Sequence, residues 1–179
     1  SLAVDVTGKG INSIGEISVS GPVVYRRLVA GDEKAFGGPL TWARDTNDGT
    51  TWHRTGDLGY IDAENRIWLV GRKMHRVELS NGVTLYSKQI EPILDSMFDI
   101  RTALVNGPNN SQAFIIVENN NQNWEILEDK LNRSIPILCK LLNNNIDFSF
   151  IQYGEEFPVD SGHQAKIRRE DLSHWLCNK

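Results

Sequence analysis

The stretch that decides the fold is Trp52-His53-Arg54-Thr55-Gly56-Asp57-Leu58-Gly59-Tyr60, and Gly71-Arg72-Lys73 begins fourteen residues after Asp57. We expect the chain to turn at Thr55-Gly56-Asp57, because glycine permits a sharp backbone bend. Such a turn would expose the Asp57 carboxylate. The apolar run Arg66–Gly71 then predicts a strand that ends at the Gly-Arg pair.

The sequence before this stretch also indicates β structure, so that residues 1–70 are predicted to be all β. Gly15–Pro22 alternates apolar and polar residues between glycines, which predicts a half-buried strand. Residues 29–51 are rich in glycine and aspartate and predict a long loop or hairpin. Trp68 is expected to pack in a core, as large aromatic side chains commonly do.

The pattern changes after Arg72. Asn81-Gly82 between two apolar runs predicts a β-hairpin, and Ser87 is expected to cap a helix that runs through Phe98. The remaining segments predict strands at Thr102–Asn106, Ala113–Glu118 and Asp147–Tyr153, helical pieces on either side of Pro136, a polar loop at Gly154–Ala165 and a closing helix at Arg168–Cys177. We therefore predict an α+β fold, in which residues 73–179 form a small domain with a sheet of about three strands and flanking helices.

Composition narrows the functional classes. A hydrophobic share of 40% and a charged share of 23% are typical of soluble globular proteins. The formal net charge of -4 gives no reason to expect nucleic acid as a partner, and no apolar run is long enough to predict a transmembrane segment. Cys139 and Cys177 show no metal-binding spacing, so we expect two free thiols, no metal site and a reduced, cytoplasmic setting.

The motifs together resemble those of the adenylate-forming ligases, the superfamily of acyl-CoA synthetases, luciferases and peptide-synthetase adenylation domains. The resemblance is carried by Thr55-Gly56-Asp57-Leu58, by Gly71-Arg72 and by the upstream segment Gly15–Pro22. It covers most of the chain but only the C-terminal part of the family's usual length. It implies that residues 1–72 are a β-barrel subdomain remnant of the large adenylation domain, and that residues 73–179 are the mobile C-terminal domain.

The resemblance also implies the binding and catalytic residues. The matching Asp in the family holds the ribose of the adenylate and the Arg contacts the same region, which assigns Asp57 and Arg72 to nucleotide binding; a carboxylate suits a diol and a guanidinium suits a phosphate. The family's Gly-Lys-(Ile/Val)-x-Arg motif matches Lys166 and Arg169, so Lys166 is the implied catalytic lysine that stabilises charge during adenylation. Ala165 departs from the motif, because most relatives have Gly there.

The hinge is implied in the same way. In the family the small domain rotates about a residue that lies two positions after the Arg of the Gly-Arg pair. That position is Met74, where relatives usually have Asp or Lys, and Lys73 is the alternative hinge residue.

The segment around the hinge indicates a particular branch. Gly71–Val77, together with His53-Arg54 and Ala165, looks more like the β-lactone synthetases of bacterial olefin biosynthesis than like most thioester-forming members. We expect His75 and Arg76 to lie on an exposed basic hairpin strand, and the likeness to this branch leaves open the alternative that His75 is more than a surface residue.

The implied activity is that of an ATP-dependent carboxylic (fatty) acid ligase, which forms an acyl-adenylate and then transfers or cyclises the acyl group. Its implied partners are ATP with Mg²⁺, an acyl substrate and CoA, and the second half-reaction stays open between thioester, β-lactone and acyl transfer. No Gly/Ser/Thr-rich phosphate loop ending in Lys occurs in the sequence. Because that loop and an initiating Met are missing, we expect a fragment of a longer chain that is inactive alone. The alternative is a non-catalytic AMP-ligase-like module for binding or interaction, which Ala165 and Met74 favour.

Overall fold

The computed structural model describes residues 3–7, 10–22, 42–44, 51–107, 112–118 and 121–179, with backbone only at 42–44, 51 and 163–165. The chain divides into two compact units, Ser1–Met74 and His75–Lys179, called here the N-terminal and C-terminal units. Most of the predicted loop at 29–51 lies outside the described residues.

The N-terminal unit contains one antiparallel sheet of five strands. The strands are β1 (Ala3–Val6), β2 (Gly15–Ser20), β3 (Trp42–Arg44), β4 (Thr51–Ile61) and β5 (Ile67–Arg72). The long strand β4 organises the sheet, since β2 pairs with it, β3 pairs with its first residues and β5 pairs with its last residues.

Thr55-Gly56-Asp57 does not turn the chain, contrary to prediction, but forms a bulge inside β4. Ser18 pairs with Arg54 and Glu16 pairs with Leu58, so one residue of β2 lies opposite three residues of β4. A bulge absorbs extra residues while the hydrogen-bonded ladder continues on both sides. Gly56 has a φ of +74°, a conformation that glycine adopts without a steric penalty.

The prediction of a core position for Trp68 is also wrong, because 48% of this residue is exposed. Its indole stacks on Tyr60 with ring centroids 6.4 Å apart, and its Nε1 donates to Asp62 Oδ2 at 2.6 Å. Ile67 and Leu69, on either side of it in β5, are 44% and 51% exposed. The large apolar residues of β5, which are typical of a buried strand, therefore lie at the surface of this unit.

The C-terminal unit is built on a three-stranded sheet with strand order β10-β9-β8, in which β9 pairs parallel with β10 and antiparallel with β8. Its elements are β6 (Val77–Glu78), β7 (Thr84–Leu85), α1 (Ser87–Phe98), β8 (Thr102–Val105), β9 (Ala113–Val117), α2 (Trp124–Leu142), β10 (Phe148–Gln152), β11 (Val159–Asp160), β12 (His163–Ile167) and α3 (Arg169–Cys177). The predicted α+β class, with a sheet of about three strands and helices on its faces, is confirmed.

Successive side chains of β8 and β9 point to opposite faces of this sheet, so both faces carry apolar residues. Leu104 and Ile115 face one core cluster, to which α1 and α2 contribute their buried apolar side chains. Ala103 and Ile116 face a second cluster, to which α3 contributes Leu172 and Leu176. The sheet is thus covered on both faces within the unit.

Two helix predictions need adjustment. Ser87 begins α1 rather than capping it, since the N-cap residue is Tyr86 and makes no side-chain cap hydrogen bond. Helix α2 continues through Pro136 as one helix of 19 residues, capped by the Asn123 side chain, which accepts from the Ile126 N–H at 3.2 Å. Within the described residues, no helix combines the length and apolar character needed to cross a membrane.

The predicted hairpin at Asn81-Gly82 is present between β6 and β7, but the predicted loop at Gly154–Ala165 contains a second hairpin. In this second hairpin, Val159 pairs with Ile167 and Asp160 pairs with His163. The Gly162 N–H donates to Asp160 Oδ1 at 2.9 Å and closes the turn. A strand pair this short carries too little apolar alternation to be predicted from sequence.

Candidate functional site

Asp57 and Arg72 are directly opposite each other on adjacent strands. Arg72 Nε lies 3.0 Å from Asp57 Oδ1, and the two side chains are 49% and 30% exposed. The structure therefore brings the two predicted nucleotide-binding residues into one ion pair at the surface of the sheet. Because both side chains are partly exposed to solvent, this pair adds little to stability on its own.

Thr55 fixes the backbone of the bulge on which this pair depends. Its hydroxyl donates to Ile17 O at 2.9 Å and accepts from the Asp57 N–H at 3.1 Å. Arg72 Nη1 donates to Thr55 O at 3.1 Å. The position of Asp57 and the direction of the Arg72 guanidinium are thus set by the same threonine.

The remaining polar atoms of the pair define what it can bind. Among the described residues, the Asp57 side chain makes no hydrogen bond or ion pair besides the one with Arg72, so Oδ2 can accept hydrogen bonds from a ligand. The outer N–H groups of Arg72 can donate to an anion. An acceptor carboxylate beside a fixed guanidinium is suited to a sugar diol that carries a phosphate.

Glu16 is a buried carboxylate on β2, and its segment was predicted only to form a strand. It is 6% exposed, and its Oε2 accepts from Arg54 Nε at 3.0 Å and from Lys73 Nζ at 3.1 Å, while Arg54 Nη2 contacts the same oxygen. Burial raises the pKa of Glu16, but hydrogen bonds and charge from Arg54 and Lys73 outweigh burial and lower it overall. The sequence did contain one indication of a buried ion pair, because Glu16 occupies an inward position of a strand with alternating burial.

The two predicted hinge residues lie in a 3-10 turn, Lys73–His75. Lys73 is tied to Glu16, whereas Met74 is 68% exposed. The prediction that His75 is exposed is wrong, because its side chain is only 11% exposed and its Nε2 lies 3.9 Å from Glu170 Oε1. Arg76 is one-third exposed and pairs with Glu78, with 2.6 Å between Nε and Oε1.

Lys166 lies on β12 of the C-terminal unit rather than on a loop. Residues 164–166 fall between the two paired positions of the hairpin and form an irregularity in its register. The residue is exposed, and no hydrogen bond or ion pair joins its ammonium group to the described part of the chain. Ala165 belongs to the same strand, whose backbone alanine can adopt.

Arg169 follows β12 and is buried against Glu91. Arg169 Nη1 and Nη2 donate to Glu91 Oε1 and Oε2 at 2.6 and 2.8 Å, and the two side chains are 14% and 9% exposed. Burial raises the pKa of Glu91, and the charge and hydrogen bonds of Arg169 oppose that rise. The family motif predicted an arginine at this position but not its partner, which lies 78 residues away.

The two groups of predicted site residues occupy different units. Asp57, Arg72, Lys73 and Met74 lie in the N-terminal unit, and Lys166 lies in the C-terminal unit. Within the parts of the chain that the structure describes, no three His, Cys, Asp or Glu side chains are arranged to hold a metal ion. The roles assigned to these residues stay predictions.

The chain is similar in sequence to curated ligases and synthetases. It is 32% identical to the olefin beta-lactone synthetase of Xanthomonas campestris pv. campestris and 34% identical to that of Stenotrophomonas maltophilia, over 93% and 92% of this chain. It is 32% identical to the 2-succinylbenzoate–CoA ligase of Enterococcus faecalis over 55% of its length. The chain spans about 30% of the length of the two olefin beta-lactone synthetases. No protein-family model matches it.

Solved structures share the fold. The o-succinylbenzoate CoA synthetase of Bacillus subtilis, in complex with the acyl-adenylate intermediate OSB-AMP, matches with a TM-score of 0.66 at 20% identity, over 96% of this chain and 34% of that one. An ATP-bound RpMatB-BxBclM chimera matches with a TM-score of 0.64 at 20% identity, over 97% of this chain and 34% of the chimera. The resemblance predicted from the motifs, including the likeness to olefin β-lactone synthetases, is confirmed by these comparisons.

Proposed function

We propose, from its kinship with the adenylate-forming acyl ligases, that this chain works as the C-terminal part of an ATP-dependent carboxylic acid ligase. The observation that carries the proposal is the Asp57–Arg72 pair, held on adjacent strands with one carboxylate oxygen left to accept hydrogen bonds. The overall reaction joins a carboxylic acid to AMP with release of pyrophosphate, and then transfers or cyclises the acyl group.

Asp57 and Arg72 bind the nucleotide in this proposal. The Asp57 carboxylate accepts hydrogen bonds from the ribose hydroxyls, and the Arg72 guanidinium donates to oxygens on the same side. The Thr55 contacts support this assignment, because they hold both groups in place before a ligand arrives. Such pre-organisation reduces the entropy lost on binding.

Lys166 assists the adenylation step. A carboxylate oxygen of the acid attacks the α-phosphorus of ATP, a new P–O bond forms, and the bond to pyrophosphate breaks. Negative charge gathers on the oxygens around the α-phosphorus, where an ammonium group stabilises the transition state more than the ground state. The exposure of Lys166 supports this role, since no contact within the described residues holds its ammonium elsewhere.

In this proposal the C-terminal domain rotates about a hinge between the two half-reactions. We place the domain boundary after Arg72 and the hinge at Lys73 and Met74, which are the last two residues of the N-terminal unit. A few residues at the end of an element are enough to absorb the backbone rotation of a hinge. Mg²⁺ accompanies ATP in this proposal.

The second half-reaction is proposed to be cyclisation to a β-lactone, and the substrate a 3-hydroxy fatty acid. The 3-hydroxyl oxygen attacks the acyl carbonyl carbon and loses its proton, and the bond to AMP breaks. The two olefin beta-lactone synthetases match 92–93% of this chain, whereas the 2-succinylbenzoate–CoA ligase of Enterococcus faecalis matches 55% at similar identity. The CoA-ligase relatives make thioester formation the alternative, with CoA as the partner.

The test separates the two half-reactions in the longer enzyme that contains this chain. Lys166→Ala should slow adenylation by roughly 100- to 1000-fold, about 2.7–4 kcal/mol, and leave the reaction of supplied acyl-adenylate unchanged. Lys140→Ala, which removes an exposed lysine of α2, is the matched control and should change neither step. Asp57→Ala should weaken nucleotide binding in both steps, because the ribose is present in ATP and in the acyl-adenylate.

Two results would contradict the proposal. One is an equal effect of Lys166→Ala on both half-reactions, or on neither. The other is ATP–pyrophosphate exchange by the 179-residue protein alone, which we expect to be at background because no phosphate-loop motif occurs in its sequence.

A further inference from the structure

The hairpin β11–β12, called here the lysine hairpin, ends at a buried charge pair. Arg169 follows Ile167, the last residue of β12, by two positions and begins α3. Its guanidinium makes two parallel contacts with the Glu91 carboxylate, at 2.6 and 2.8 Å. A two-point contact of this kind fixes orientation as well as distance.

Glu91 is itself fixed by the core of the C-terminal unit. It lies on the buried face of α1, and its Oε1 also accepts from the Leu104 N–H at 2.7 Å. Arg169 Nη1 approaches Leu104 O at 3.4 Å. One carboxylate therefore joins α1, β8 and the start of α3.

The other end of the lysine hairpin is held by a second carboxylate. The Phe157 N–H, just before β11, donates to Glu118 Oε1 at 2.6 Å, and the Phe157 ring is buried. Arg101 Nη1 lies 3.1 Å from the same oxygen. The Arg168 N–H donates to Pro158 O at 2.8 Å and closes the base of the hairpin. The base is thus anchored on both sides, while Lys166 is exposed.

We propose that Glu91 is a positioning residue for Lys166, which acts by holding Arg169 and thereby fixing the C-terminal end of the lysine hairpin. The proposal rests on the proposed function for the role of Lys166 in adenylation. Lys166 lies three residues before Arg169, so a displacement of Arg169 moves the backbone that carries the lysine. Glu91 does not touch the reacting atoms in this proposal.

The charge pair suits this task better than apolar packing would. Apolar contacts are non-directional and allow the hairpin base to shift, whereas the bidentate pair permits one geometry. Removal of one partner also leaves the other charge buried without compensation, which is strongly destabilising.

The first test is amide hydrogen exchange by NMR on the 179-residue protein with Glu91→Gln, which keeps the side-chain shape and removes the charge. We expect the hydrogen-bonded Arg168 amide to exchange on the order of 100-fold faster, while amides of β9 and β10, which make no hydrogen bond with Glu91, stay within a few-fold of the parent. Asp95→Asn is the matched control, because Asp95 lies one turn further along α1 and accepts from Thr102 Oγ1 at 2.6 Å. It should leave the Arg168 amide unchanged.

The outcomes are distinct. A uniform rise in exchange across the C-terminal unit would mean that the pair only holds the core together, and an unchanged Arg168 amide would mean that it anchors nothing; each overturns the proposal. If Glu91→Gln does not fold, Arg169→Lys, which keeps the charge but loses the fork, provides the same local readout with a smaller expected rise.

The second test uses the longer enzyme. Glu91→Gln should slow adenylation and spare the conversion of supplied acyl-adenylate, and equal slowing of both steps would overturn the proposal. Failure of the proposed function is seen separately, because Lys166→Ala would then leave adenylation unchanged. The exchange measurements require no nucleotide and are independent of that result.

Discussion

The two units bury apolar and polar side chains in different proportions. In the C-terminal unit, apolar side chains of α1, α2 and α3 cover both faces of a three-stranded sheet. Among the described residues of the N-terminal unit, Val6, Leu58 and Val70 are the buried apolar side chains, and the inward positions of β2 hold Glu16, Ser18 and Ser20. Among the described residues, buried polar side chains therefore equal the buried apolar ones in number in the N-terminal unit, whereas buried apolar side chains far outnumber buried polar ones in the C-terminal unit.

The charge pairs follow the same division. Asp57–Arg72 is at the surface, where it can meet a ligand, and Glu91–Arg169 is buried, where it can fix a backbone. An exposed pair contributes little to stability, whereas a broken buried pair is strongly destabilising. The comparison teaches that the exposure of an ion pair decides its possible use: the partly exposed pair suits the proposed binding role, and the buried pair suits the proposed anchoring role.

The comparison is tested most severely by separating the units. We expect residues 73–179 to fold alone with a cooperative thermal transition, because both core clusters lie within them. Circular dichroism melts of this piece and of the whole chain should show similar transitions for the helical signal. A piece without a cooperative transition would show that its core depends on residues 1–72.

A single core substitution sharpens the comparison. Leu131 of α2 is fully buried, so Leu131→Ala should lower the free energy of unfolding of the C-terminal unit by about 2–5 kcal/mol. Leu141→Ala, on the same helix but 61% exposed, should change it by less than about 0.5 kcal/mol. Urea denaturation followed by circular dichroism measures both, and similar effects of the two substitutions would contradict the described packing.

The smallest expected effect concerns the surface network of the N-terminal unit. Burial opposes ionisation of Asp62, but hydrogen bonds from Trp68 and Arg66 outweigh it and lower the pKa of Asp62 from 3.8 to about 2. Because the pKa in the folded state is lower than in the unfolded state, the ionised carboxylate stabilises the fold above pH 3.8. That contribution is lost as the pH falls from 3.8 through about 2.

The Asp62 carboxyl resonance should therefore titrate in the folded protein near pH 2, and the stability difference between the parent and Asp62→Asn should shrink below pH 4. Trp68→Phe removes one of the hydrogen bonds to Asp62 and should raise the pKa of Asp62. A midpoint at the ordinary value of 3.8 in the parent protein would refute the network.

Local pattern predicted the helices and strands of the C-terminal unit well, because its apolar residues recur at helix and strand periods. It did not predict the bulge at Thr55-Gly56-Asp57, since a turn and a bulge use the same glycine and differ only in how the neighbouring strands pair. The short strands β11 and β12 were missed for want of alternation.

The contacts of the candidate site could be predicted even less well from the sequence. Asp57 and Arg72 were singled out by motif, but their direct pairing depends on the register between β4 and β5. Glu16 with Lys73 and Glu91 with Arg169 are separated by 57 and 78 residues, so that no local period connects them. Long-range ion pairs of this kind are decided by the tertiary fold.

Asp57 and Arg72 both belong to the N-terminal unit, and this location has a thermodynamic consequence. A ligand that contacts only this pair has the same affinity whatever the arrangement of the two units. Tight binding there shifts no population between arrangements, because only differential affinity shifts an equilibrium. If the pair binds the nucleotide as proposed, nucleotide affinity can depend on the arrangement of the units only through contacts that groups of the C-terminal unit add. The size of that coupling equals the free energy that those contacts add in one arrangement over the other.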